Sequence, residues 1–134
     1  MATYKTFEDL EVWQKSRVLA NEIWTKTLNN SFSKDFSLRD QINRSSGSIM
    51  DNIAEGFERG GTKEFINFLG YSKGSCGEVR SQLYRAKDRN HINQGEHDTL
   101  QLQAVEVGKQ IGGFMKYLSQ TEIKGTKYID RTIK

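Results

Sequence analysis

Few residues in this 134-residue chain are of types that do chemistry, and their spacing signals no active site. Helical proteins often build two-metal carboxylate centres from paired Glu-x-x-His motifs, and none occurs here. Glu55 and Glu58 stand three apart, whereas both histidines, His91 and His97, fall near the connection HINQGEH. They are expected as solvated loop residues, since two histidines without matched Cys, Asp or Glu spacing do not complete a metal site. Cys76, the lone cysteine, lies on an apolar helical stripe far in sequence from either histidine, and no serine sits in a Gly-x-Ser-x-Gly elbow. Gly56-Phe57-Glu58-Arg59-Gly60-Gly61 lacks the Gly-Lys-Ser/Thr ending of a phosphate loop and reads as a turn between helices. The expectation is no catalytic residue, no metal, no cofactor and no small-molecule substrate.

Two polar constellations remain. Gln41, Arg44, Ser48, Asn52 and Glu55 form a row beside an apolar stripe, placing Gln41 and Asn52 where they need hydrogen-bond partners. That row is expected to tie its helix to a neighbour. Further along, Lys73, Arg80 and Lys87 recur every seven residues, with Tyr84 near them and Arg85 and Arg89 outside. These cations, with a stacking ring, are candidates for touching nucleic acid. The formal net charge is only +3, but Lys63 to Arg89 holds six basic residues against three acidic ones (Glu64, Glu78, Asp88), while Phe7 to Asn30 and Asp35 to Arg59 are net negative. Such a surplus permits polyanion binding without demanding it.

The elements that position these residues are helices. The chain has no proline, and apolar residues recur at helical spacing. A first helix is predicted from Thr6, in capping-box spacing with Asp9, to about Leu28. Leu10, Trp13, Ala20, Trp24 and Leu28 share its apolar face, and Val12, Leu19 and Ile23 widen it to nearly half the circumference. NNSFSKDF reads as a polar link. A second helix, capped by Ser37, carries Leu38, Ile42, Ser45, Ile49 and Ile53 and stops at GFERGG. A third, capped by Thr62, carries Phe65, Leu69, Ser72, Cys76, Val79, Leu83 and Ala86. On its other face Gly70, Gly74, Gly77 and Ser81 line up; interior glycines each cost about 0.5 to 1 kcal/mol against alanine. The row predicts close approach by another helix, and with the wide arc of the first helix it predicts packing against copies of the same chain. A fourth helix has Leu100, Val107, Ile111, Phe114 and Leu118 in line, Ala104 and Met115 beside them, and Gly108 and Gly112 as further marks of close approach.

This pattern predicts an all-α, antiparallel up-down four-helix bundle over residues 1–120 and a flexible basic tail over 121–134, with a three-helix layout containing one long kinked helix as the structural rival. No apolar run approaches the roughly 20 residues of a membrane span and no apolar signal core opens the chain, so a cytoplasmic protein is expected.

The stretch Gln41-Ile42-Asn43-Arg44-Ser45-Ser46-Gly47-Ser48-Ile49-Met50-Asp51-Asn52-Ile53-Ala54-Glu55-Gly56 resembles the mark of the rRNA intervening-sequence proteins, a ribosomal-protein-like family. Phe7-Glu8-Asp9-Leu10-Glu11-Val12-Trp13, Lys63-Glu64-Phe65 and Lys73-Gly74-Ser75-Cys76-Gly77-Glu78 agree with it. The resemblance implies a four-helix bundle assembling as a ring-shaped homopentamer, and similarity to a nucleic-acid-binding accessory protein of diversity-generating retroelements. The expected function is a non-enzymatic, self-assembling bundle associated with RNA or a nucleoprotein. The alternatives are a purely structural oligomer with no nucleic-acid role and, more distantly, a small-molecule enzyme.

Overall fold

Leu38, Ile42, Ser45, Ile49 and Ile53 are all buried along one face of a helix over Phe36–Arg59, as their spacing requires. The computed structural model, which describes residues 4–124, contains five α-helices: α1 (Glu11–Thr27), α2 (Asn30–Lys34), α3 (Phe36–Arg59), α4 (Thr62–Asp88) and α5 (Gln94–Lys124). The four long helices form the bundle. α3 packs along α4, α4 along α5, and α1 closes the ring between α3 and α5. Gly60 and Gly61 alone separate α3 from α4. Gly60 has φ 82°, a left-handed conformation costly for any residue with a Cβ, and this reverses the chain. The stripes of α4 and α5 are buried as their spacing predicts, with Phe114 and Met115 partly covered at the edge. Phe65 sits at the centre, edge-on to Phe57 and to Phe114 at ring separations of 5.9 and 5.4 Å.

α3 and α4 approach closely at Gly56, where a Cβ would stand 2.6 Å from Phe68 Cβ and 3.0 Å from Phe65 Cδ1. Only glycine lets α3 and α4 converge there.

Several boundaries differ from those read in the sequence. Thr6 and Asp9 cap only a short 3-10 turn, Phe7–Asp9, with the Asp9 carboxylate accepting from the Thr6 N–H at 3.2 Å. Leu10 is extended, and α1 begins after it. The link NNSFSKDF contains α2, whose N-cap Asn29 accepts from the Phe32 N–H and whose Phe32 is buried. Asp35, not Ser37, caps α3, and α4 starts from Gly61 with no side-chain cap, Thr62 being its first residue. α5 runs past Gln120 to Lys124, with Thr121 buried; the rest of the expected tail lies outside the described residues. The line that α1 buries is Val12, Ser16, Leu19, Ile23 and Thr27, while Trp24 and Leu28 are 53% and 60% exposed. Of the wide apolar arc, Leu10, Val12, Leu19 and Ile23 are buried and Trp13 packs against the core, while Trp24 and Leu28 stand at its outer edge. No described helix is long and apolar enough to cross a membrane.

Candidate functional site

The α4–α5 face has an almost bare backbone. Gly74 and Gly77 on α4 and Gly113 on α5 have no atom within 4 Å of where a Cβ would be, and Gly70 has only Met115 Cε, at 3.8 Å. The expected close approach at Gly70, Gly74 and Gly77 is thus not made by a helix of the same chain. Gly108 and Gly112 are also looser than expected: a Cβ would meet Cys76 Cβ at 3.9 Å and Lys73 Nζ at 3.8 Å, both ordinary contacts. Between the helices runs a groove of 550 Å³ with Lys73 and Arg80 on one wall and Lys109 on the other. Arg80 is anchored by Gln101, whose Oε1 accepts from Arg80 Nε at 3.2 Å and whose amide donates to the Arg80 carbonyl at 2.8 Å. Cys76 lies below the groove, and burial pushes its thiol up to about 12, which removes thiolate chemistry near neutral pH.

The six α4 residues expected to form one nucleic-acid patch separate into two groups. Lys73 and Arg80 lie mid-helix in the groove. Tyr84, Arg85, Lys87 and Arg89 fall near the carboxyl end of α4 but on different sides of it, Tyr84 meeting His97 of α5 edge-on at 4.6 Å. There Arg85 donates to Gln41 Oε1 at 2.8 Å, and Arg89 donates to Asp35 Oδ2 at 2.8 Å. Sequence reasoning missed Lys109, which joins the groove from α5; the signal was its place beside Gly108 and one turn before Gly112 and Gly113.

The α3 polar row divides in the same way. Gln41 bridges to α4 through Arg85, and Ser48 Oγ accepts from Ser75 Oγ of α4 at 3.1 Å. Ser72 adds a tie from the α4 stripe, donating to the Ile49 carbonyl at 2.6 Å. Asn52 stays on its own helix, its amide donating to the Ser48 carbonyl and hydroxyl at 2.9 and 2.8 Å, and Glu55 pairs with Arg59 on the surface. Arg44 is exposed. Only part of the row ties two helices.

The histidines are not solvated loop residues. His97 is buried in α5, its Nδ1 3.3 Å from the Leu83 carbonyl. His91 stacks on Phe32 at 4.9 Å, with Nδ1 2.9 Å from Ser31 Oγ and Nε2 2.9 Å from Asp35 Oδ2. Hydroxyl, imidazole and carboxylate stand in relay order, but the Asp35 carboxylate and the His91 backbone also hold structure. Asp35 caps α3 through the Leu38 N–H and takes Arg89, and the His91 carbonyl accepts from Asn29 at 2.7 Å. The hydrogen bonds from His91 and Arg89 hold the Asp35 carboxyl down at about 2. The cluster is a latch joining α2, the start of α3 and the end of α4. Asn93 and Glu96 begin α5 with a reciprocal capping box, each side chain accepting from the other's N–H at 2.8 Å. The N–H bond from Asn93, then Lys26 of α1 at 3.0 Å, lowers the Glu96 carboxyl. Among the described residues no three His, Cys, Asp or Glu side chains group as metal ligands would.

Comparison with known proteins bears on what this arrangement serves. Curated proteins yield no match. A crystal structure of a protein of unknown function from the S23 ribosomal protein family of Bacteroides thetaiotaomicron is similar over 78% of this chain and 98% of its own, with 25% identity and a TM-score of 0.72. The model of the 23S rRNA-intervening sequence proteins matches residues 8–113, a span that takes in α1 to α4, the groove and the latch. The chain belongs to the 23S rRNA-intervening sequence protein family.

Proposed function

We propose that this chain is a non-enzymatic, self-assembling helical bundle that associates with RNA or a nucleoprotein in the cytoplasm. The observation that carries the reading is the match over residues 8–113 to a family named for sequences intervening in 23S rRNA. Two features of the molecule support it. Trp24, Leu28 and Leu102 are each more than half exposed, more bulky apolar surface than a lone bundle needs. Tyr84 presents an exposed ring near the carboxyl end of α4, with the basic Arg85 and Lys87 in the same stretch. In an oligomer, a ring-shaped homopentamer being the form the resemblance implies, that modest patch is repeated, and each contact with one RNA raises the effective concentration of the next.

The test is binding of structured rRNA fragments across a salt series, comparing wild type with a Tyr84→Ala/Lys87→Ala variant. Counterion release gives a steep salt dependence, and removing a phosphate contact makes it shallower. Weaker binding with a shallower slope is the expected result. No binding by the wild type at low salt would leave a purely structural oligomer as the function.

A further inference from the structure

We propose that the hollow between the end of α1 and the start of α3 holds one unpaired guanine base of an RNA strand, stacked on Trp24 and read by Arg39, Asp40 and Asn43. The proposal rests on the RNA association in the function above and names a site for it away from α4.

The two tryptophans of the chain are placed differently. Trp13 is partly buried, with Phe7 edge-on at 5.1 Å and the Arg17 guanidinium 5.8 Å from its ring centre. Trp24 is more than half exposed and meets no other ring or cation among the described residues. It lines a 400 Å³ hollow, a volume in the range of small-ligand sites. Trp24, Leu28 and the buried Thr27 come to it from α1, and Arg39, Asp40 and Asn43 from α3. Exposed Leu102 has no such polar surround, so the hollow is more than a bare apolar spot. An indole face accepts any base by stacking, and stacking alone selects none.

Selection comes from the polar groups, which the fold holds in place while part of their bonding capacity stays unused. Arg39 donates from Nη1 to the Ser33 carbonyl at 3.0 Å and from Nε to Asp40 Oδ1 at 3.1 Å, and its guanidinium lies 4.9 Å from the Phe36 ring centre. Its Nη2 bonds to nothing among the described residues. The Asp40 side chain is 56% exposed and gives only Oδ1 to Arg39. Thr27 Oγ1 spends its proton on the Trp24 carbonyl at 2.7 Å, so it accepts from the Asn43 amide at 3.2 Å. That bond fixes which way the Asn43 amide points and leaves its Oδ1 as an acceptor. Asp40 and Asn43 stand three residues apart on α3 and are neighbours on its surface.

The hollow therefore offers two acceptors beside one donor. Guanine is the base whose Watson–Crick edge carries the complement, two donors at N1 and N2 beside one acceptor at O6. Cytosine and uracil carry the reverse ratio, and adenine carries one of each. Guanine gives its donors to Asp40 and Asn43 and takes Arg39 at O6. A duplex keeps that edge paired, so the site takes an unpaired nucleotide.

The test uses fluorescein-labelled octamers of uridine with one central guanosine or one central adenosine, titrated with the full chain and read by fluorescence anisotropy. Both strands carry the same phosphates, so the ratio of their affinities is free of the salt-dependent contribution. The guanosine octamer is expected to bind about tenfold tighter, the discrimination given by one good base-edge pair. Trp24→Ala should weaken both octamers about tenfold, since stacking ignores base identity. Asp40→Ala removes one acceptor and should bring the ratio close to one, whatever it does to the affinity common to both strands. Both side chains are more than half exposed, so each variant should keep its helicity, checked by circular dichroism. A wild type with no guanosine preference, or a preference that survives Asp40→Ala, would overturn the proposal. A wild type that binds structured rRNA but neither octamer would remove the hollow as a base site and leave the RNA association standing, whereas binding of neither would remove both. If Trp24→Ala lowers the light-scattering mass and keeps both octamer affinities, the indole serves contact between copies and the base site is overturned.

Discussion

Asp35→Asn isolates the charge at the centre of the end latch. Asn still caps a helix as well as Asp does, so the Leu38 N–H keeps its acceptor and the lost quantity is the ionised carboxylate facing Arg89 and His91. That carboxyl is held at about 2 against an ordinary 3.8. A difference of nearly two units at about 1.4 kcal/mol each corresponds to about 2 kcal/mol of stability. The side chain is 19% exposed, so solvent screening trims this only modestly. The folded-state pKa is depressed, so the contribution is full above pH 3.8, falls as pH drops, and is gone below about 2. Urea unfolding followed by circular dichroism, at fixed protein concentration because assembly shifts apparent stability, should show the variant about 2 kcal/mol weaker at pH 7. The two curves should converge as pH approaches 2. A gap that stays constant from pH 7 to pH 2, or no gap at pH 7, would refute the latch as a charge-dependent device.

Other substitutions test the packing directly. Gly56→Ala adds a methyl 2.6 Å from Phe68 Cβ, so about 1 to 3 kcal/mol of overpacking should exceed the helix propensity gained, and its urea midpoint should fall. Ser72→Ala removes the bond to the Ile49 carbonyl and should cost about 1 kcal/mol in the same assay. The Cys76 thiol, buried and pushed up to about 12, should resist a thiol-disulfide reagent at pH 8 in the native protein and react at once in denaturant. Asn52→Leu should cost little, because its hydrogen bonds stay within α3; a large drop in melting temperature would show a bridging role.

The sequence by itself determined helix type, the four long helices and, for three of them, the centre of the buried face, but not the short α2. α3, α4 and α5 each turn one narrow apolar stripe inward, and a period of 3.6 residues is local information carried whole by Leu38 to Ile53, Phe65 to Ala86 and Leu100 to Leu118. The motif around Arg44 to Gly56 also pointed to the family the chain belongs to. α1 misled because its buried line includes Ser16 and Thr27, whose hydroxyls donate to the Val12 and Trp24 carbonyls of their own helix. Such residues enter a core without an unsatisfied group, while two tryptophans on the flank widen the apolar arc and draw its apparent centre outward. The rest depended on partners distant along the chain. His91 is a loop histidine until Ser31, Phe32 and Asp35, some 60 residues earlier, fold onto it. Periodicity placed Gly56, Gly74 and Gly77 on helices and could say nothing of what stands opposite each. Only the tertiary structure set Phe68 against the first and left the other two open, because a side chain's neighbours across a bundle follow from how helices pack and not from the order of residues along one of them.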